Sequence, residues 1–201
     1  MSWATRHARL GEVVNRHLGG VSVVAGAASG GALFEQNAEL VIDGQVLSVD
    51  YMLTNALAAT FGSLERSEFL RVDGALYQVR HAPSVVGDGL YCVVPLQKPE
   101  QQLLEVVNAA AVALAAGTPV VDAGNGSVVA ATSSGQTVAG LMAETLAPGA
   151  SGSMAIGGVV DATTTGWAIG TLLYVSATGL SPVASGTAVA RVVADGAVLR
   201  L

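Results

Sequence analysis

The chain has 201 residues, a formal net charge of −6 and a composition that is 51% hydrophobic but only 4% aromatic. Ala, Val and 25 Gly dominate it, so many small side chains fill the core, and β structure is favoured over helix. The acidic balance argues against a nucleic-acid-binding surface. A single cysteine excludes an intrachain disulfide, and no run of about 20 apolar residues is present to span a membrane.

The first segment predicts an amphipathic helix. Trp3, Leu10 and Val14 recur at helical spacing with arginines between them, and the glycine pair at 19–20 is suited to end the helix. The segment lacks the apolar region of a secretory signal, so synthesis in the cytoplasm is expected. We predict that residues 1–20 form a helix or arm whose Trp3, Leu10 and Val14 contact a neighbouring protein.

After residue 20 the pattern changes to short, Val-rich or alternating runs separated by turn residues, which is typical of a small sheet or barrel. Asp43-Gly44 and Asp73-Gly74 supply the residue pair that tolerates positive φ in a tight hairpin. Residues 50–64 show no clear period and are predicted to form a mobile loop. Four side chains of this loop are predicted to order on assembly and to contact a partner: Tyr51, Met52, Leu53 and Phe61.

The composition shifts sharply after the polar run at 98–102. Between Val106 and Ala190 there is no Lys or Arg, and the acids are Asp122, Glu144 and Asp161. The segment is too hydrophobic for disorder, and its seven short Val-rich runs predict a second small barrel or sandwich. The sequence therefore predicts a mainly β fold, with two small β-barrel or sandwich domains at 21–98 and 103–201 preceded by a short N-terminal helix.

No group of residues has the spacing of a reactive site. The histidines at 7, 17 and 81 do not match a metal-ligand motif, and the glycines at 26–31 lack the Lys and Ser or Thr of a phosphate-binding loop. Glu65 and Glu68 are accompanied by arginines, which indicates a solvated charged face, and Cys92 has the flanks of a buried strand. We predict that the protein is not an enzyme and needs no cofactor or metal.

The order of elements in the first half resembles a known family. The residues that carry the resemblance are the amphipathic start, the strand leading into Phe34-Glu35, the long loop at 50–64, the hairpin at 69–80, and Pro83 with Gly87-Asp88-Gly89 before the strand at 90–96. This order is similar to that of the head-tail joining (attachment) proteins of lambda-like tailed bacteriophages. The resemblance implies a homo-oligomeric ring, most simply a hexamer, between the portal-side connector and the tail terminator.

The second half resembles the small β domains of phage capsid decoration and head-fibre proteins. The residues concerned are 115–120 and 166–176, followed by Gly179-Leu180-Ser181, and Trp167 is predicted to cover one end of this barrel. Two locations in the virion stay open: a neck ring with an appended decoration-like domain, or a cement protein bound to the major capsid protein on the head surface. Neither location implies a membrane or sequence-specific nucleic acid, and an enzyme is the weakest of the three function classes.

Overall fold

The computed structural model describes residues 13–15, 17–42, 45–162, 167–194 and 197–201. The structure is mainly β, which confirms the predicted fold class, and includes a closed six-stranded barrel and a second sheet. The chain divides into two compact units, Met1–Pro99 and Glu100–Leu201, called here the N-terminal and C-terminal units.

The N-terminal unit is built around the closed barrel. Its strands follow the order β3-β2-β1-β4-β5-β7, and pairing of β3 with β7 closes the ring, while β6 also pairs with β7. The element bounds are β1 (Val21–Ala25), β2 (Ala28–Ile42), β3 (Gln45–Leu57), α1 (Ala58–Phe61), β4 (Phe69–Val72), β5 (Ala75–Val79), β6 (Ser84–Val86) and β7 (Tyr91–Gln97).

Tight hairpins join neighbouring strands, as the turn residues predict. Asp73 and Gly74 have φ values of 48° and 83° between the paired Val72 and Ala75, the positive pair that a type I′ turn requires. Asp43 and Gly44 lie outside the described residues. Ile42 nevertheless pairs with Gln45, so β2 and β3 form a hairpin around them.

Alternation places the large side chains of the N-terminal unit inside the barrel. Tyr77 and Val79 of β5 share the core with Cys92, Val94 and other residues of one buried cluster. Tyr91 and Val93 point to the opposite face of β7 and are only half-buried. Residue alternation therefore gives these two strands a core face and an outer face.

The prediction of a mobile loop at 50–64 is wrong. Residues up to Leu57 belong to β3, which pairs with β2 on one side and with β7 on the other, and α1 follows directly. The register with β7 shifts between Leu53 and Ala56, next to Asn55 at φ 53°. This bulge breaks the two-residue alternation, which is why the sequence shows no strand period here.

The C-terminal unit has a nine-stranded sheet of order β11-β9-β10-β8-β12-β16-β15-β13-β14, in which pairing of β11 with β12 closes the first five strands into a ring. The bounds are β8 (Gln101–Asn108), β9 (Pro119–Gly124), β10 (Ser127–Ala130), β11 (Gly140–Met142), β12 (Ser151–Asp161), β13 (Leu172–Ser176), β14 (Gly179–Ser181), β15 (Ala190–Ala194) and β16 (Ala197–Arg200).

The described residues of this unit form three hydrophobic clusters, two of which are larger than the third. Of the larger two, one lies among the ring strands and includes Val106, Val120 and Met154; the other draws mainly on β12, β13, β15 and β16. Trp167 packs against the second cluster, which also includes Leu141 of β11 and Ala155 of β12 from the ring. Leu173 is buried while Leu172 is exposed, as alternation predicts.

Candidate interaction surface

The long β2–β3 hairpin extends past the pairing partners of both its strands. β2 pairs with β1 only over Ala28–Ala32, and β3 pairs with β7 only from Tyr51 onward. Within the described residues, the segment 38–49 therefore forms a two-stranded arm whose strands pair only with each other. Val46 near the tip of the arm is 62% exposed.

The N-terminal unit also has a short free edge. Among the described strands, Ser84–Val86 pairs with β7 alone, along the same side of β7 that pairs with β5. Val85 and Val86 on this edge are both exposed. An unpaired strand edge with apolar side chains is a template for pairing with another chain.

Three aromatic rings meet over the core of the N-terminal unit. The ring centroid of Tyr51 lies 5.7 Å from that of Phe34 and 5.1 Å from that of Tyr77. The Lys98 ammonium lies 3.8 Å from the centroid of Tyr77, a cation–π contact. Tyr51, a predicted contact residue, is therefore half-buried within this aromatic group.

The other predicted contact residues of segment 50–64 lie in two different hydrophobic clusters. Met52, Leu53 and Phe61 are buried. Leu53 and Phe61 belong to the barrel core, whereas Met52 belongs to a separate cluster that includes residues of the arm. Their interaction role stays a prediction. These three residues are buried because they lie in a strand and a helix that contribute to hydrophobic clusters, and not in the predicted loop.

Val14 is the member of the predicted N-terminal contact face that can be placed. Trp3 and Leu10 lie outside the described residues. Residues 13–15 and 17 have helical backbone, and Val14 is partly exposed on them. Asn15 fixes this segment to β3, because its side chain accepts a hydrogen bond from the Asn55 side-chain amide.

The C-terminal unit exposes apolar side chains on β8 and β12. Leu103 and Leu104 are each 51% exposed, and Ile156 on the neighbouring strand is 47% exposed. The domain boundary predicted in the polar run at 98–102 coincides with the start of β8, which begins at Gln101. The two adjacent leucines directly after the polar run, Leu103 and Leu104, were the sequence feature that could have indicated a strand.

The candidate reactive groups have structural roles. Among the described residues no group of three or more His, Cys, Asp or Glu could hold a metal ion. The Glu65 backbone N–H donates to the Glu68 carboxylate, and Gly26 lies in the β1–β2 hairpin. Burial raises the pKa of the Cys92 thiol to about 11, which disfavours the nucleophilic thiolate.

A cavity of about 500 Å³ lies beside Arg200 in the C-terminal unit, lined also by Ser134, Gln136 and Thr187. The guanidinium donates from Nη1 to the Val189 carbonyl (3.0 Å) and from Nη2 to the Val138 carbonyl (3.1 Å). Desolvation lowers its pKa. The Arg200 side chain thus joins the segments that precede β11 and β15, which is a structural role.

No protein-family model, curated protein or solved structure matches the chain. In the described part of the chain, no helix has the length and hydrophobicity needed to cross a membrane. Among the described residues, strand edges with exposed apolar side chains are the features that indicate a function.

Proposed function

We propose that this chain is a non-enzymatic structural subunit of a tailed-bacteriophage particle, in which the N-terminal unit forms a head-tail joining ring and the C-terminal unit is an appended decoration-like domain. The observation that carries the proposal is that one barrel has two different strand edges with which no described strand of the chain pairs. These are the outer edge of β2 in the arm and the edge of β6.

Two unlike edges suit assembly into a ring. A contact between different surfaces of identical subunits is head-to-tail, and it closes into a ring when the rotation permits. Backbone hydrogen bonds give such an added strand its affinity, and the exposed Val85 and Val86 add apolar area. In the proposed ring, the arm of one subunit pairs with the β6 edge of the next.

The phage assignment is supported by the resemblance in the order of elements. The hairpin at 69–80, the turn at 87–89 and the final strand at 90–96 fold as consecutive parts of one barrel. The long loop of the resembling proteins has no counterpart at 50–64, which is strand and helix here. The proposed partners are further copies, the portal-side connector and the tail terminator.

Copy number and location in particles test the proposal. Quantitative mass spectrometry of purified particles that carry this chain is expected to give about six to twelve copies per particle, as a neck ring of cyclic symmetry requires. Antibody-gold labelling should mark the head–tail junction. Absence of the chain from particles would refute a virion role.

The arm supplies a sharper variant. Val46→Lys places a charge on the exposed tip of the arm and should reduce ring formation in negative-stain images of the purified protein. Val183→Lys, at a 71% exposed position in the C-terminal unit, is the matched control and should leave rings intact. Equal ring formation by both variants would contradict the role of the arm.

A capsid-surface cement protein is the second candidate, favoured by the exposed Leu103, Leu104 and Ile156 of the C-terminal unit. In this arrangement the C-terminal unit contacts the major capsid protein and the N-terminal unit projects. The same particle measurements decide between the two, because a shell protein is present in hundreds of copies, on the order of the capsid subunits, and gold then labels the head surface.

A further inference from the structure

On one side, the first part of β8 pairs with no strand in the part of the chain that the structure describes. Residues 101–105 pair with β12, whereas β10 reaches β8 only at Val107 and Asn108. All the side chains from Gln101 to Glu105 are exposed. This stretch therefore extends beyond its second neighbour and leaves one edge open.

The hydrogen bonds of β8 show which residues face the open side. The Asn108 N–H donates to the Ala150 carbonyl on the β12 side (3.0 Å), and the Val107 N–H donates to the Gly126 carbonyl on the β10 side (2.9 Å). Alternate residues of a strand direct their backbone groups to opposite sides. Leu103 and Glu105 therefore share the direction of Val107, toward the side where no described strand lies.

Apolar side chains accompany this edge, and little protects it. Leu103 and Leu104 are half exposed, and Glu105 is the one charged residue from 101 to 105. Natural edge strands are usually shielded by lysines, prolines, bulges or a covering element. Leu103 lies opposite the buried Ala155, and Leu104 lies opposite the buried Met154. These two partners belong to the two larger hydrophobic clusters of the unit, so a strand added at this edge would bury more apolar surface next to both clusters.

We infer that the β8 edge pairs antiparallel with the β8 edge of a second copy, about a two-fold axis at Leu103. With Leu103 opposite the same residue of the second copy, Glu105 lies opposite Gln101. Every outward-facing residue then meets another outward-facing residue, so both chains satisfy their free N–H and C=O groups. The carboxylate of Glu105 faces a neutral amide and no like charge.

The competing register is less favourable. Placing Leu104 opposite itself would set Glu105 against Leu103 and bring a carboxylate beside an apolar side chain, which costs desolvation energy without a new hydrogen bond. The two-fold pairing is also separate from the proposed ring, because a self-complementary contact joins two copies and does not close a ring by itself. Its failure would leave the ring proposal untouched, and the reverse also holds.

Sedimentation velocity of the full chain over a concentration series tests the inference. To isolate the β8 contact, all samples carry Val46→Lys, which is designed to impair the arm contact. In this background Leu103→Lys, which sets two like charges opposite each other, should weaken dimerisation at least ~10-fold. Val183→Lys adds the same charge elsewhere in the unit and should leave the dimer unchanged. Equal dimerisation by both, or a monomer at every concentration, would overturn the inference.

Cysteine cross-linking tests the register. Opposed residues in an antiparallel ladder have Cα atoms about 5.5 Å apart, within the range of a disulfide. Leu103→Cys should therefore form a covalent dimer under mild oxidation, while Glu105→Cys should not. The native Cys92 is buried and does not compete. Preferential cross-linking of Leu104→Cys, or a Leu103→Cys rate equal to that of Val183→Cys, would refute this register.

Discussion

The two units reach a β fold of similar size with different core chemistry. The N-terminal unit closes its barrel around large side chains, with Phe61 buried in the core and the rings of Phe34, Tyr51 and Tyr77 in contact with one another. The C-terminal unit contains few aromatics and few charges, and its clusters consist of Val, Ala, Leu and Met. Glycines bring its strands and loops close together.

Close backbone contact therefore takes the place of large side chains in the C-terminal unit. A Cβ on Gly158 would lie 2.2 Å from the Glu100 carbonyl oxygen, and one on Gly140 would lie 2.5 Å from the Ala155 carbonyl oxygen. Hairpin-turn glycines, such as Gly74 in the N-terminal unit and Gly126 in the C-terminal unit, have open space around them. We expect substitutions that remove side-chain volume to destabilise mainly the N-terminal unit, and substitutions that add side-chain volume to destabilise mainly the C-terminal unit.

The largest expected effect is in the N-terminal unit. Phe61→Ala should reduce its free energy of unfolding by about 3 to 5 kcal/mol, because it removes a fully buried ring from the core. Hydrogen-exchange mass spectrometry should show lost protection in residues 21–97 and unchanged protection in residues 101–201. Equal loss in both units would show that they do not behave as separate cooperative bodies.

The buried Asn108 is the corresponding test in the C-terminal unit. Its side-chain amide donates to the Val112 and Leu146 carbonyls, and its Oδ1 accepts from the Ala110 N–H. Asn108→Leu should cost about 2 to 3 kcal/mol in denaturant unfolding, because buried backbone groups lose their partners. The control Asn125→Gly, at an exposed turn residue with φ 54°, should cost nothing. A neutral Asn108→Leu would contradict this account of the core.

Paired glycine variants compare the two units at the same backbone angle. Gly158 and Gly74 both have φ +83°, but only Gly158 contacts other backbone atoms at the Cβ position. Gly158→Ala should cost about 2 kcal/mol and Gly74→Ala about 1 kcal/mol, since the first adds a clash to the cost of the left-handed conformation. Thermal unfolding of the two variants checks the order. A reversed order would mean that the strands near Gly158 can separate.

The smallest expected effect is a pH dependence of the N-terminal unit. Burial raises the pKa of Cys92 from 9.0 to about 11, so the unfolded state loses its proton at lower pH than the folded state. This contribution to stability is present below pH 9 and is lost as pH rises toward about 11. Cys92→Ala should remove that part of the decline when the two unfolding curves are compared. Identical pH profiles would show that the thiol is solvated.

Local features were the most predictable from the sequence. The Asp73-Gly74 turn and the alternating faces of β5, β7 and β13 follow from residue type and a two-residue period. The β3 bulge at Asn55 was not predictable, because the shift in register depends on its pairing with β7. The start of β8 was missed because its exposed, polar beginning is indistinguishable from a linker until β12 pairs with it.

Ring closure and the positions of the free edges could not be predicted from the sequence for the same reason. They depend on which distant strands pair, such as β3 with β7 and β11 with β12, and no local pattern encodes that choice. The predicted contact residues accordingly fell mainly on core positions, while Val46, Val85 and Leu103 are exposed on or beside unpaired edges.

Native mass spectrometry of the purified protein measures self-assembly through these edges. A single chain has a mass of 20.1 kDa. We expect discrete multiples of that mass whose proportion rises with protein concentration and falls when Val46→Lys and Leu103→Lys are combined. A single-chain mass at every concentration, unaffected by either substitution, would contradict it.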